Sequence, residues 1–264
     1  MTTTRILTAA VSAMALSLAA GLATLPQAKA DSAQARTLLK AMSDYLAAQN
    51  ALSFSYDTNF EVVSTEGQVL AVASSGDVIL NRPNKLRATR HGGFADVETV
   101  FDGNTLTVLG KNVNMYTQVA TPGTIDHLVD ELRDTYNRPV PGADLILSNV
   151  YDQLIPEVTD AKDLGSGVIG GVECDHLAFR TSQVDWQIWI AQGARPYPCR
   201  YVITSKMVAN GPQYSIQIRD WKSGGEVAAD DFAFRNTTNA TKSDLKALPD
   251  TDDLPTIFER GASR

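Results

Sequence analysis

Two kinds of hydrophobic periodicity run along the chain, and they predict a helix followed by a long series of strands. Between residues 31 and 50, apolar side chains recur at spacings of three and four, as on the buried face of an α-helix. From Phe54 the period changes to two, with Tyr56 and Phe60 on the same face and polar residues between them. The pattern therefore predicts an amphipathic helix and then strands that have one buried and one wet face.

Further segments of period two extend this series, with Asp102-Gly103 as the strongest hairpin signal. They predict strands at residues 68–81, 85–91, 97–101, 106–109, 114–119, 172–180, 184–191, 199–205, 214–221 and 232–234. A helical period returns at residues 124–134 and 143–154. A helical interruption among antiparallel strands has to lie across a face or an open end of the sheet. From residue 236 the tail is polar and acidic, and we expect it to be loosely held.

Apolar side chains point one way on many of the predicted strands, and they exceed what three short helices can cover. The inward set consists of Phe54, Tyr56, Phe60, Phe101, Trp186 and Ile188. A core under the helices accounts for most of such positions, but the remainder has to enclose a second layer or a cavity. We take these six residues as candidates for a cavity lining and place Trp189, of opposite strand parity, outside.

The first thirty residues have the pattern of a cleavable export signal. Arg5 precedes an apolar run over residues 6–25, and Ala28-Lys29-Ala30 supplies the small residues that a signal peptidase accepts. We expect cleavage after Ala30, delivery to a bacterial periplasm and one mature domain over residues 31–264. The alternative is an uncleaved membrane anchor. With no cysteine near the cleavage site to carry a lipid, we expect the mature protein not to be membrane-anchored.

Charge and cysteine content narrow the possible partners and chemistry. The net charge is -7, so no basic field exists to hold nucleic acid. Cys174 and Cys199 are the only cysteines. In an oxidising compartment an even pair favours a disulfide, which is the pairing we predict here.

No motif gives positive evidence for catalysis, a metal or a cofactor. Residues 165–170 match G-x-G-x-x-G, but a polar stretch precedes them and an alternating strand follows, which favours a hairpin turn over a dinucleotide site. The sequence has no G-x-S-x-G nucleophile motif. His91, His127 and His176 fall on different elements without ligand spacing. We interpret Asp230-Asp231 as a solvated acidic pair.

Several segments taken together resemble the LolA/LolB lipoprotein-carrier superfamily. They are the strand and Arg-Pro turn at residues 78–87, the hairpin at 101–106, Met115-Tyr116, the segment at 189–198 and the segment at 227–234. The likeness runs over nearly the whole mature chain. It is greatest to a periplasmic branch of the superfamily known only as a domain of unknown function.

The resemblance implies a mainly β fold of the α+β class. It would be a single, strongly curved antiparallel sheet of about 10–11 strands, an unclosed half-barrel with helices as a lid on its concave side. It also implies a non-catalytic carrier that takes a lipid or acyl chain, with Arg82 at the turn as the latch that holds the lid shut. We expect a monomer without cofactor or metal. The alternatives are an envelope interaction protein whose cavity is self-filled and, less favoured, a hydrolase.

Overall fold

The computed structural model describes residues 32–136 and 140–244, so the predicted leader at residues 1–30 lies outside the described residues. The described chain forms one curved, unclosed sheet of 12 strands with a few helices, which confirms the predicted fold class. The strands are β1 (Ala51–Val63), β2 (Val69–Asn81), β3 (Lys85–Gly92), β4 (Asp96–Phe101), β5 (Thr105–Gly110), β6 (Met115–Ala120), β7 (Asp160–Ile169), β8 (Val172–Arg180), β9 (Val184–Ala191), β10 (Pro198–Ser205), β11 (Gln213–Ser223) and β12 (Thr241–Lys242). Their order across the sheet is β12-β6-β5-β4-β3-β2-β1-β11-β10-β9-β8-β7. All neighbours are antiparallel except β12 and β6.

The helices are short apart from the first one. They are α1 (Ser32–Ala47), α2 (Ile125–Asp130) with a π-helical turn at Glu131–Thr135, a 3-10 turn at Ala143–Ile146, α3 (Val150–Leu154) and a 3-10 turn at Gly224–Glu226. The elements between residues 125 and 154 agree with the helical interruption that the sequence predicts. Thr124 caps α2 because its side chain accepts a hydrogen bond from the backbone N–H of His127.

Two strands are absent from the sequence prediction, β7 and the two-residue β12. β7 contains Gly165 and Gly167 of the G-x-G-x-x-G motif, and its register with β8 shifts between Asp163 and Ser166. Gly170 and Gly171 both have positive φ and make the turn into β8. The motif is therefore a bulged strand followed by a turn.

Part of the concave face is filled under α1. Leu39, Met42 and Leu46 of this helix are fully buried, and they belong to the same core as Trp186 and Ile188 of β9. We call the concave side of β7–β10 under α1 the filled half. The concave side of β1–β5 and β11, which lies under α2 and the turn at Ala143–Ile146, is the hollow half.

The segment at residues 227–242, which we call the strap, corrects two predictions. No strand forms at residues 232–234, where Phe232 is buried with a φ of 51°. The tail is not loose immediately after residue 236, since Ala240 is buried and β12 adds a parallel strand beside β6. The physical reason is a contact between residues far apart in the chain: Arg87 of β3 holds the carboxylate of Asp230 through two hydrogen bonds of 2.9 and 3.2 Å.

The strap has further attachments on either side of Asp230. Arg87 also donates to the carbonyl of Ala233 at 3.1 Å and to Glu98 at 2.6 Å. The ring of Phe234 packs on Tyr116 with centroids 5.0 Å apart. Asp230 is therefore part of an ion-paired network and not the solvated acidic residue that the sequence suggests.

Candidate functional site: a cavity under the short helices

A cavity of about 350 Å³ lies in the hollow half, between the sheet and the short helices. Its volume falls in the range of about 300–1,000 Å³ that is typical of small-molecule sites. The wall is mostly aliphatic and aromatic. Its principal apolar members are Phe54, Phe60, Val72, Val78, Leu86, Phe94, Val97, Leu106, Val108, Leu128, Val129, Leu132, Val140, Ile146 and Ile216.

Three of the six predicted lining residues border the cavity and three do not. Phe54, Tyr56 and Phe60, all on β1, line the cavity. The structure places the other three residues in the sealed core, where they have almost no exposed surface and lie outside the cavity wall; these are Phe101, Trp186 and Ile188. In the filled half the reason is the neighbouring packing, since Phe179 stacks on Trp186 with ring centroids 4.0 Å apart. Trp189 is half-buried and packs outside the main core, as its parity predicts.

The cavity has a sealed end and an open end. Phe54 and Leu86, at the sealed end, are each 6% exposed, and Leu106 is fully buried. At the open end, large apolar side chains face solvent: Phe60 is 42% exposed and Phe94 is 44% exposed. Soluble proteins rarely leave such side chains clustered at a surface without a binding role. The cavity is thus a blind pocket with an apolar mouth.

The larger polar side chains in the wall are Tyr56 on β1, Arg90 on β3 and Tyr214 on β11. The hydroxyl of Tyr56 donates to the carbonyl of Thr89 at 2.8 Å. Gly76 makes this contact possible, because a Cβ there would lie 1.9 Å from the Thr89 oxygen and 2.7 Å from the Tyr56 hydroxyl. Burial raises the pKa of Tyr56 to about 12 and also raises the pKa of Tyr214, while the positive charge of Arg90 opposes both rises. Both phenols are therefore neutral donors at physiological pH.

The cover of the cavity, by which we mean α2 and residues 143–148, is tied to the turn between β2 and β3. Arg82 donates from Nη2 to the carbonyl of Leu147, 3.1 Å away, and the neighbouring carbonyl of Pro83 accepts from the N–H of Ile125 at 2.8 Å. Within the cover, Asp126 accepts hydrogen bonds from the backbone and side chain of Ser148. Burial lowers the pKa of Arg82 from its ordinary value, with the nearby Asp126 opposing the change. Arg82, the predicted latch, thus touches the helical segment that closes the cavity.

The structure does not confirm the predicted disulfide. Cys174 and Cys199 are free and buried, and they pack with Ala191 in a small cluster outside the main core. Cys174 is on β8 and Cys199 is on β10, with β9 between them. The two sulfur atoms are not at disulfide distance, although each thiol lies near enough to act on the pKa of the other. Burial raises the pKa of both thiols, so they stay protonated.

Several cavity residues are missing from the sequence prediction, above all Arg90, Phe94 and Tyr214. Arg90 could have been found, because it has the same strand parity as Leu86 and Ala88 on β3. Phe94 lies in the loop after β3, where no periodicity marks it.

In residues 32–136 and 140–244, no group of three or more His, Cys, Asp or Glu is placed to hold a metal ion. None of the described helices is long and apolar enough to cross a bilayer.

Comparison with known proteins places the chain in a family. A family described as "Predicted periplasmic protein (DUF2092)" matches residues 35–245. No curated protein matches the sequence.

Several solved structures are similar in part. An uncharacterized conserved protein from Thermus thermophilus is 11% identical, with a TM-score of 0.48 over 81% of this chain and 99% of that one. LprF from Mycobacterium bovis is 15% identical, with a TM-score of 0.45 over 78% of this chain and 100% of its own. The lipoprotein LppX from Mycobacterium tuberculosis is 15% identical, with a TM-score of 0.40 over 76% of this chain and 100% of its own.

Proposed function

We propose that this chain, which belongs to the DUF2092 family of predicted periplasmic proteins, binds a hydrophobic ligand such as a lipid or acyl chain in the cavity of the hollow half. The single observation that carries the proposal is a blind apolar pocket of about 350 Å³ with Phe60 and Phe94 exposed at its mouth. The role is binding or carriage without covalent chemistry, in a protein released into the periplasm after cleavage at Ala30.

Burial of apolar surface is the driving force for such binding. Each Å² of apolar surface removed from water contributes about 25 cal/mol, so a long acyl chain that loses about 400 Å² gains about 10 kcal/mol before ordering costs. The wall offers matching surface at the sealed end, where Phe54, Leu86 and Leu106 have lost almost all contact with solvent. A chain that enters tail first would place its last carbons against these three side chains.

The cover controls access to this pocket in the proposed mechanism. The pocket lies beneath Leu128 and Ile146 of the cover. Movement of this segment away from the sheet would break the contact from Arg82 to the Leu147 carbonyl. Arg82 is therefore a latch that keeps the cover in place until a ligand displaces it.

The test is ligand retention and uptake by the protein expressed in a bacterial periplasm. We expect native mass spectrometry to find co-purifying lipid, and the delipidated protein to take up a fluorescent fatty acid in a saturable manner. Ala88→Phe puts a ring into the pocket and should reduce uptake at least tenfold. Val168→Phe is the matched control, because Val168 is 65% exposed on β7 and lies outside the pocket wall.

A clean apo mass with no saturable uptake would contradict the proposal. That result would favour the alternative of an envelope interaction protein. Uptake that Ala88→Phe and Val168→Phe reduce equally would mean that the ligand binds elsewhere on the surface. Turnover of an ester by the protein, lost with one point substitution, would instead favour the hydrolase alternative.

A further inference from the structure

The cavity wall is mostly apolar and contains one charged side chain. Among the described residues that line it, Arg90 is the only one whose side chain is charged at neutral pH. Its position follows from the alternation along β3, where Leu86, Ala88 and Arg90 all face the pocket. A cation in an apolar wall is costly unless an anion or hydrogen-bond acceptors accompany it.

Arg90 lies toward the open end of the pocket. Along β3, exposure rises from the buried Leu86 to the half-buried Arg90 and the exposed Gly92. Arg90 is opposite Val97 in the register of β3 with β4, close to the loop that contains Phe94 and joins these two strands. The pocket therefore has an apolar sealed end and a cation near its mouth, about 13 Å apart for the four residues from Leu86 to Arg90.

Phenol groups accompany this cation. The charge of Arg90 acts on both Tyr56 and Tyr214, which come from the adjacent strands β1 and β11. The Tyr56 hydroxyl is already committed to the Thr89 carbonyl. Tyr214 lies against the cover, since a Cβ on Gly142 would be 3.3 Å from its hydroxyl oxygen. Arg90 and Tyr214 thus supply donors at the mouth, and neither phenol supplies a negative charge.

We propose that the ligand of this pocket is an anionic amphiphile, one apolar chain with a single carboxylate or phosphate, whose headgroup is held by Arg90 at the mouth. This inference rests on the proposed function and names the class of ligand for the same site. A guanidinium has five N–H donors, so it can hold ligand oxygens beside the contact that it already makes. Its planar fork matches both carboxylate and phosphate oxygens.

The experiment compares three ligands with the same chain at pH 8: hexadecanoate, hexadecyl phosphate and the uncharged hexadecan-1-ol. Affinities are measured by displacement of a bound fluorescent fatty acid from the delipidated full chain. We expect at least a tenfold preference for the anions over the alcohol. The tighter of the two anions then distinguishes a carboxylate from a phosphate headgroup.

Substitutions at Arg90 test the assignment directly. Arg90→Met should lower the affinity for both anions at least tenfold and change that for hexadecan-1-ol less than twofold. Arg90→Lys keeps the charge and should retain most of the preference. Arg219→Gln is the matched control, because Arg219 pairs with Asp57 outside the pocket and is 45% exposed. It should leave all three affinities unchanged.

The outcomes separate the two proposals. If none of the three ligands binds the wild-type protein, the proposed function fails and this inference fails with it. If the alcohol and the anions bind equally, and Arg90→Met changes none of these affinities, the pocket binds hydrophobic ligands but the assignment of an anionic headgroup is wrong. Unaltered binding of hexadecan-1-ol by Arg90→Met also shows that the variant is folded.

Discussion

In both halves of the concave face the strands present apolar side chains, but one half is filled by a helix and the other contains a cavity. In the filled half, α1 provides 16 residues whose buried side chains include Leu39, Met42 and Leu46. In the hollow half, α2 has 6 residues and its inward contribution includes Ile125 and Leu128. A single long amphipathic helix presents a continuous apolar stripe, whereas short helices joined by turns leave gaps. Helix length, not strand composition, thus decides where a sheet of this kind can hold a ligand.

The difference predicts that a larger side chain destabilises the fold more in the filled half than in the hollow half. Ala161 is 2% exposed in the filled half, and Ala161→Phe should destabilise the fold by about 1–3 kcal/mol, because close-packed cores do not accept extra atoms. Ala88 borders the cavity, so Ala88→Phe should cost clearly less stability. Urea denaturation of both variants and of the wild type measures these changes in the free energy of unfolding.

Equal destabilisation by the two substitutions would break the comparison, because it would mean that the hollow half is as closely packed as the filled half. Val168→Phe, on the exposed part of β7, controls for the intrinsic effect of a phenylalanine on the sheet.

The second prediction concerns the cover of the hollow half. Arg82→Gln removes the charged donor that reaches the Leu147 carbonyl. A hydrogen bond contributes about 1 kcal/mol net, which corresponds to about a fivefold faster ligand exchange if the contact breaks on opening. Stopped-flow release of a fluorescent fatty acid measures the rate. Arg219→Gln should leave it unchanged, and an unaltered rate in Arg82→Gln would remove Arg82 from the latch role.

The smallest effect is expected at the back of the hollow half, where the strap crosses the convex face. Hydrogen bonds from Arg87 hold the pKa of Asp230 below its usual value, and Arg235 lowers the pKa of Asp231 to about 2. A carboxylate whose pKa is lower in the folded state stabilises the fold above its unfolded pKa of about 3.9, and this contribution is lost as the pH falls toward the folded value.

Melting temperatures of the wild type and of Asp230→Asn between pH 7 and pH 3 measure this contribution. The variant should lose about 0.5 kcal/mol at pH 7 and show a weaker loss of stability on acidification. Ligand exchange should be the same in Asp230→Asn, since the strap does not line the cavity. Faster exchange would mean that the back of the sheet also controls the pocket.

The sequence predicts the inward face well and the cavity only in part. Alternation is a property of the strand itself, so it correctly assigns Phe54 and Ile188 to one face of the sheet. Whether such a residue borders a hollow or is sealed depends on the helix above it, which a strand pattern does not contain. Arg90 follows the same alternation and could have been placed on the inward face, but the sequence prediction considered only apolar side chains.

The remaining differences also have physical causes that particular residues show. β7 carries Gly165, Gly167 and exposed polar residues, which weaken the strand signal even though β8 pairs with it along its length. The strap is held mainly by Arg87, which is 143 residues from Asp230 in the chain, and no local pattern contains such a contact. The cysteine argument considered only the compartment and the even number of thiols, and neither determines the distance between two sulfur atoms.

The register shift in β7 and the short parallel strand β12 have a consequence for the sheet as a whole. An open sheet has two edges, and an edge with free backbone groups can recruit strands from other molecules. Here the outer edge of β7 is bent by the irregularity between Asp163 and Ser166, and β12 occupies part of the β6 edge. A sheet of this width can therefore remain unclosed, which leaves room for the hollow, without offering a straight template on which copies could stack into fibrils.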